Sequence, residues 1–373
     1  MCDILKQQST LVQVMEREAN KIAEKGNQNT ANSEAYLNFL TEVLQAVSED
    51  PSPQSVYPLL QANLDKLDDN FISLLRTWAE ARLSEVEPSQ AEDIASDIGN
   101  FSNLILEFPL GNQAANVEIS LVGYEISLTV FTRDSHSENW ALIQNNLGNA
   151  YRNRIKGDRS ENLENALAAY QRALSVYTQE AFPTDWAMTQ NNLGLAYSHR
   201  IVGDRAENRQ MAIAAYEKAL EVYTREAFPE DRAEIQYEIG KLLIDGGSWY
   251  DGLAHLEESL AIYRQTENLK QRADTIYQIA RTHHLMSNLD KARIHYGDAL
   301  RIYQFINNQR GIAACQDGLG RLMILILFID EALERLNQAC HIYDTIEDKQ
   351  RADDVREIIK LITKAKEGEK QIA

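Results

Sequence analysis

The sequence predicts an all-α protein, a solenoid of stacked helix hairpins, on three observations. A 46-residue unit is written twice between Trp140 and Pro229. The same pattern then continues downstream in 40-residue steps. No stretch of the 373 residues shows the apolar–polar alternation of a strand. A fixed period of this size means stacked units rather than one closed globule, because each hairpin buries its apolar face on the next.

From the N-terminus, residues 1–25 read as a polar amphipathic helix and Asn27 to Ser33 as a polar break. Residues 33–48, 54–85 and 89–107 read as further helices, with Pro51, Pro53 and Pro88 between them. The 54–85 stretch is long enough to break once. All seven prolines are expected at segment borders. Ser120, Tyr124, Ser127 and Phe131 lie 46 residues before Ala166, Tyr170, Ala173 and Tyr177. Residues 115–133 are therefore helix B of a degenerate unit, whose helix A is 89–107 and contains Ile98-Gly99.

Five units start at residue 140. Each carries a small residue in helix A: Gly148, Gly194, Gly240, Ala280 and Gly320. Helix B offers Ala166, Tyr170 and Ala173 in the first unit and Ala292, Tyr296 and Ala299 in the fourth. A tyrosine follows four residues later each time: Tyr177, Tyr223, Tyr263, Tyr303 and Tyr343. Small residues let two helices cross closely, and Tyr and Leu fill the grooves beside the crossing. Units one and two carry six extra residues between their helices, including the twinned loop Arg154–Asn162 and Arg200–Asn208. Gly157 and Gly203 suit a turn there, and Asp158 and Asp204 a turn or cap. Residues 349–366 are apolar on one side (Val355, Ile358, Ile359, Ile362), as a capping helix is. The expected organisation is an acidic helical region over 1–113, a repeat array over 114–346, and a cap and tail over 347–373.

Leu147, Gly148 and Tyr151, followed by Ala166, Tyr170 and Ala173, resemble the tetratricopeptide repeat, or TPR. The Gln-Asn-Asn-Leu stretch is similar to repeats of kinesin light chains and of large bacterial, including cyanobacterial, TPR proteins. The likeness covers about residues 140–343. It implies a right-handed superhelix whose inner wall is lined by helix A of each repeat. The inner-wall positions then hold Asn145, Asn146 and Asn149 in the first unit, and Asn191, Asn192 and Leu195 in the second. An amide donates and accepts at once, so such positions suit the backbone of an extended peptide. In units three to five one of these positions holds Lys241, Arg281 and Arg321, which suits a partner with an acidic segment. Chaperone-binding members hold a terminal carboxylate with cations. Here Asn145, Glu234 and Glu238 stand where those cations belong, so no chaperone tail is expected to bind.

The formal net charge is −19, with −11 of it in residues 1–113. That disfavours nucleic acid and anionic membranes as partners. No apolar run reaches 18 residues and no secretory leader is read, so a cytoplasmic setting is expected, and the resemblance to bacterial TPR proteins implies a bacterial one. Cys2, Cys315 and Cys340 are too scattered for a disulfide framework. Gln338-Ala339-Cys340 resembles the start of a protease nucleophile motif but falls on a helix, beside a required small residue. Cys340 is expected to be buried. His283 takes the place of Tyr151 and Tyr197 and is expected in the core, and its neighbour His284 points about 100° away on a helix. Gly318-Leu319-Gly320 is too short for a phosphate loop. No catalytic residue, metal or cofactor is expected. Leu322 to Ile329 puts apolar Leu325, Ile326 and Leu327 in a turn. They are expected either against the capping helix or as an exposed patch for dimerisation or docking. The expected function is a non-enzymatic adaptor that captures a peptide or partner protein. The alternative is a ligand-sensing or oligomerising module that controls an effector.

Overall fold

The computed structural model describes residues 30–372. The helix read over residues 1–25 and most of the polar break after it lie outside the described residues. Among the described residues the chain is helical and has no strand. It forms two compact units, one ending at Gly203 and the other starting at Asp204.

The first unit holds α1 (Thr30–Glu49), α2 (Pro53–Ala62), α3 (Asp69–Glu85), α4 (Pro88–Glu107), α5 (Gln113–Val130), α6 (Ser137–Asn153), α7 (Arg159–Ala173) and α8 (Pro183–His199). The break expected in 54–85 falls between α2 and α3. It spans a short 3-10 turn at Leu64–Lys66 and ends where Asp68 caps the Asn70 and Phe71 amides at 2.9 and 3.0 Å. Pro58 corrects the expectation for prolines, because it lies inside α2. The backbone acceptor it leaves unpaired belongs to exposed Gln54, where water is available. Helices α1 to α5 share one core built on Leu40, Leu60, Phe71, Leu75, Phe101 and Ile105, all 0% exposed or nearly so.

The repeat crossing is visible in α6 and α7. A Cβ on Gly148 would stand 2.5 Å from the buried Tyr170 ring, so only glycine allows the approach. The twinned loop is anchored the same way twice. Arg154 forks onto Glu118 at 2.7 and 2.8 Å, and Arg200 onto Glu164 at 2.7 and 2.9 Å. Gly157 turns the first loop at φ +80°, and Asp158 then caps α7 through the Glu161 amide at 2.9 Å. Not all six extra residues are loop. Residues 154–158 connect α6 to α7, and the remaining extra residues add a turn to the start of α7.

The second unit holds α9 (Arg205–Leu220), α10 (Pro229–Asp245), α11 (Trp249–Tyr263), α12 (Leu269–Leu285), α13 (Leu289–Phe305), α14 (Gln309–Leu325), α15 (Ile329–Thr345) and α16 (Lys349–Ile372). Its inter-helix turns repeat one geometry. Ser287, Leu327 and Glu347 take φ of 58°, 63° and 59°, and the amide of the next residue returns to a carbonyl five residues back at 2.8–2.9 Å. Helix α16 packs Ala352 and Val355 against Leu336, Ala339 and Tyr343 of α15.

Candidate functional site

The positions expected on the inner wall of the first unit hold five asparagines and Leu195, and the structure brings three of the asparagines into one directional chain. Asn192 donates to Asn145 at 3.1 Å, Asn145 to Asn146 at 3.2 Å, and Asn146 to Asn103 of α4 at 2.9 Å. The Tyr124 hydroxyl completes the chain, donating to the same Asn103 oxygen at 2.7 Å. Asn149 stands apart and accepts from Tyr170 at 2.8 Å. Asn145 is 0% exposed, which corrects its expected place as an open contact residue. The physical reason is that its amide ties α8 to α6 by accepting from Asn192 and donating to Asn146, rather than facing water. Asn146, Asn149, Asn191 and Asn192 are half-buried. Asn103 escaped the sequence reading, yet a signal existed. It lies 46 residues before Asn149, and its tyrosine contact is the Asn149 contact one period earlier.

The second unit presents cations instead. Lys241 pairs with Glu238 at 2.8 Å and lies 4.9 Å over the Tyr237 ring. Gln278 links the next helix by donating to the Tyr237 hydroxyl at 3.4 Å, and Arg281 donates to Gln278 at 3.0 Å. Arg281 is exposed, stands 6.0 Å over Tyr277, and has no carboxylate partner among the described residues. Arg321 pairs with Asp317 at 2.6 Å.

Arg281 and Arg321 meet at a cavity of ≈ 620 Å³ lined by α12, α13, α14, α15 and α16. Lys241 lies outside it. The walls are the rings of Tyr277, Tyr296 and Tyr343, and the third guanidinium is Arg351 of α16. Asp317 and Asp354 supply the opposing charge. Burial, helped by the Arg321 cation, lowers the His284 pKa, so this ring enters neutral at pH 7. Burial also pushes the Tyr277 hydroxyl up to about 12, which keeps it a donor. Gly318 explains the Gly-Leu-Gly motif. A Cβ there would stand 2.6 Å from the Tyr296 ring. Tyr296 and Tyr343 were read in the sequence only as repeat positions, and Arg351 and Tyr277 were not singled out, Arg351 because it lies on a helix with only half a repeat pattern.

Other expectations fall as follows. His283 is buried and stacks on His295 at 5.6 Å between ring centroids. Cys340 is half-buried rather than buried, and lies 3.7 Å from the Ala352 carbonyl. Burial raises its thiol pKa, which works against a thiolate nucleophile. Leu325 and Leu327 point outward at 59% and 81% exposure, while Ile326 tucks against the cluster of Leu319, Leu322 and Met323. No helix among the described residues is long and apolar enough to cross a membrane.

Residues 140–178 and 231–304 match two family models, each described as tetratricopeptide repeat. No curated protein matches the chain. Among solved structures, aspartyl phosphate phosphatase F from Bacillus subtilis is 12% identical, covers 93% of this chain and 88% of its own, and gives a TM-score of 0.51. The apo form of RapI is 16% identical, with coverages of 78% and 82% and a TM-score of 0.53. BtubC (BKLC) from P. vanneervenii is 14% identical, with coverages of 62% and 92% and a TM-score of 0.50. At such identities the likeness shows the fold, an α-helical repeat stack, and nothing of ligand or activity.

Proposed function

For a chain that carries tetratricopeptide repeats, we propose the role of a non-enzymatic adaptor in the bacterial cytoplasm that captures a peptide or partner protein with an acidic segment. The observation that carries this reading is Arg281, an exposed guanidinium with no carboxylate partner among the described residues, beside a polar, aromatic-walled cavity. Lys241 and Arg321 extend the basic character along the same unit, each tied only to an acid three or four residues away on its own helix. Such half-buried pairs within one helix are weak, about 0.3–0.5 kcal/mol, and can exchange for a partner's carboxylate. The half-buried amides Asn146, Asn149, Asn191 and Asn192 would offer a neutral second contact for a peptide backbone. An overall charge of −19 argues against nucleic acid and anionic membranes. The test is affinity capture from a bacterial lysate with the intact chain and with Arg281→Glu/Arg321→Glu. The reading expects the partner to be lost from the variant, and equal capture removes it.

A second reading, oligomerisation that controls an effector, draws on Leu327. This residue is 81% exposed and holds φ at +63°, a conformation that costs a leucine about 1 kcal/mol. If Leu325, Ile326 and Leu327 form a self-contact, the oligomer size by light scattering drops in Leu325→Ser/Leu327→Asn. A monomer in both chains refutes it.

A further inference from the structure

We infer that the cavity of the second unit receives an acidic side chain of the bound segment, at a place where repeats three and four supply their own carboxylate and repeat five does not. The inference rests on the segment-binding reading and gives it a register.

Six residues before the helix A small residue, the chain reads Glu234, Asp274 and Ala314 in successive repeats. In repeat four the tyrosine that closes helix B is satisfied from that position, with Tyr303 donating to Asp274 at 2.6 Å. Forty residues on, the position in phase with Asp274 is Ala314, which has no carboxylate to offer Tyr343. Its ring instead lies 5.8 Å from the Arg351 guanidinium, and both border the cavity. A second position is shortened, and the Tyr296 ring packs on it at the cavity wall. Glu238 and Gln278 become Gly318 in repeat five. The repeat that loses two long polar side chains is thus the one that opens a cavity, and it leaves a phenol and a guanidinium facing it.

The charges agree with a missing acid. Arg281, Arg321 and Arg351 face Asp317 and Asp354. Asp317 is engaged by Arg321 at 2.6 Å, and Arg351 reaches its nearest acid, Asp348, only at 3.8 Å. One more carboxylate makes the three guanidiniums and the acids facing them equal in number. An Asp or Glu side chain delivers it from a continuous segment, as Asp274 does from α12. Tyr277, Tyr296, Leu285 and Val355 then offer apolar surface to the residues beside it.

The test uses the full chain and three fluorescent hexapeptides, read by anisotropy. One has a central Asp flanked by Phe and Leu and an amidated end. The second has Asn in place of Asp, and the third has the Asn with a free C-terminus. The Asp peptide is expected to bind at least about tenfold tighter than the Asn peptide, the worth of a charge-assisted hydrogen bond. Ala314→Asp supplies the acid from inside and is expected to erase that preference. Tyr343→Phe, which keeps the ring, weakens the preference and serves if Ala314→Asp fails to fold. Equal binding of the Asp and Asn peptides overturns the inference, as does a preference that survives both variants. Tightest binding by the free C-terminus overturns the side-chain assignment. The outcome separates from that of the adaptor reading. Lysate capture that depends on Arg281 and Arg321 without an Asp preference sinks only the cavity. An Asp preference with unaltered capture sinks only the adaptor.

Discussion

The two units use the same helix positions in opposite ways. In the first, the positions around the helix A glycine hold short amides that bond from helix to helix, Asn192 to Asn145 to Asn146 to Asn103. In the second, they hold long charged or polar side chains that bond mostly within one helix, Lys241 donating to Glu238, Arg281 to Gln278 and Arg321 to Asp317, with Gln278 alone also reaching Tyr237 of another helix. A contact between helices is a structural tie, and breaking it costs stability. A contact within one exposed helix turn constrains little and leaves the outer half of each group free for a ligand. The first unit therefore spends its polar groups on itself, and the second keeps them in reserve.

The largest expected difference between the units lies at two glycines that pack on tyrosine rings, Gly148 and Gly318. Gly148→Ala pushes a methyl against a fully buried Tyr170 and is expected to cost about 3 kcal/mol, at the upper end for overpacking. Gly318→Ala makes the same clash with Tyr296, but that ring borders a cavity into which it can move. Its cost is expected at about 1 kcal/mol. Denaturant midpoints of the two variants decide this, and equal losses would erase the distinction.

Next come the polar groups. Asn145→Ala leaves its half-buried partners Asn146 and Asn192 without that bond and is expected to cost about 1–2 kcal/mol, whereas Arg281→Ala should fall within about 0.5 kcal/mol of the unaltered chain. A larger loss for Arg281→Ala by the same unfolding assay would reverse the assignment of scaffold and reader.

Acid is expected to pull the units apart in sign. Burial lowers the pKa of His255, His283, His284 and His295, all in the second unit. A lowered folded pKa means the unfolded chain binds the proton first, so stability falls as pH drops below about 6.5. In the first unit burial raises Asp97 to about 6, from an ordinary value of 3.8. There the folded state binds the proton first, so its contribution grows as pH falls through 6. Hydrogen exchange at pH 7 and pH 5.5 should show protection declining in α10–α15 and holding or rising in α4. Uniform change across both units would contradict this.

The smallest effect is a gain. Leu327→Asn relieves a leucine at φ +63° and is expected to add about 0.5–1 kcal/mol, read as a higher denaturant midpoint. Loss of stability would mean that the side chain packs in a way its exposure does not reveal.

Much of this was legible in the residues. The period placed the Tyr–Gly crossings, Asp158 and Asp204 as caps, and His283 in the core, because these depend on local geometry that repeats with the sequence. The apolar turn at 325–327 was also visible, although burial decided which of its residues face out. What escaped was contact between repeats. Asn145 looked open because its helix position was read alone, and only Asn192 and Asn146 together show why it is buried. The cavity was hidden because its lining is gathered from five helices, and Gly318 on its wall takes its meaning from what the neighbouring repeats hold at the same place. Pro58 was missed because a helix of ten residues shows too little period to reveal its own interior.

The most direct measurement pits the two surfaces against each other in one capture assay. Arg281→Glu/Arg321→Glu alters the second unit, and Asn146→Ala/Asn149→Ala alters the first. The account predicts that the charge reversal weakens partner retention by about tenfold or more, while the amide variant changes it only about twofold. Retention that survives the charge reversal but collapses with the amide variant would contradict it.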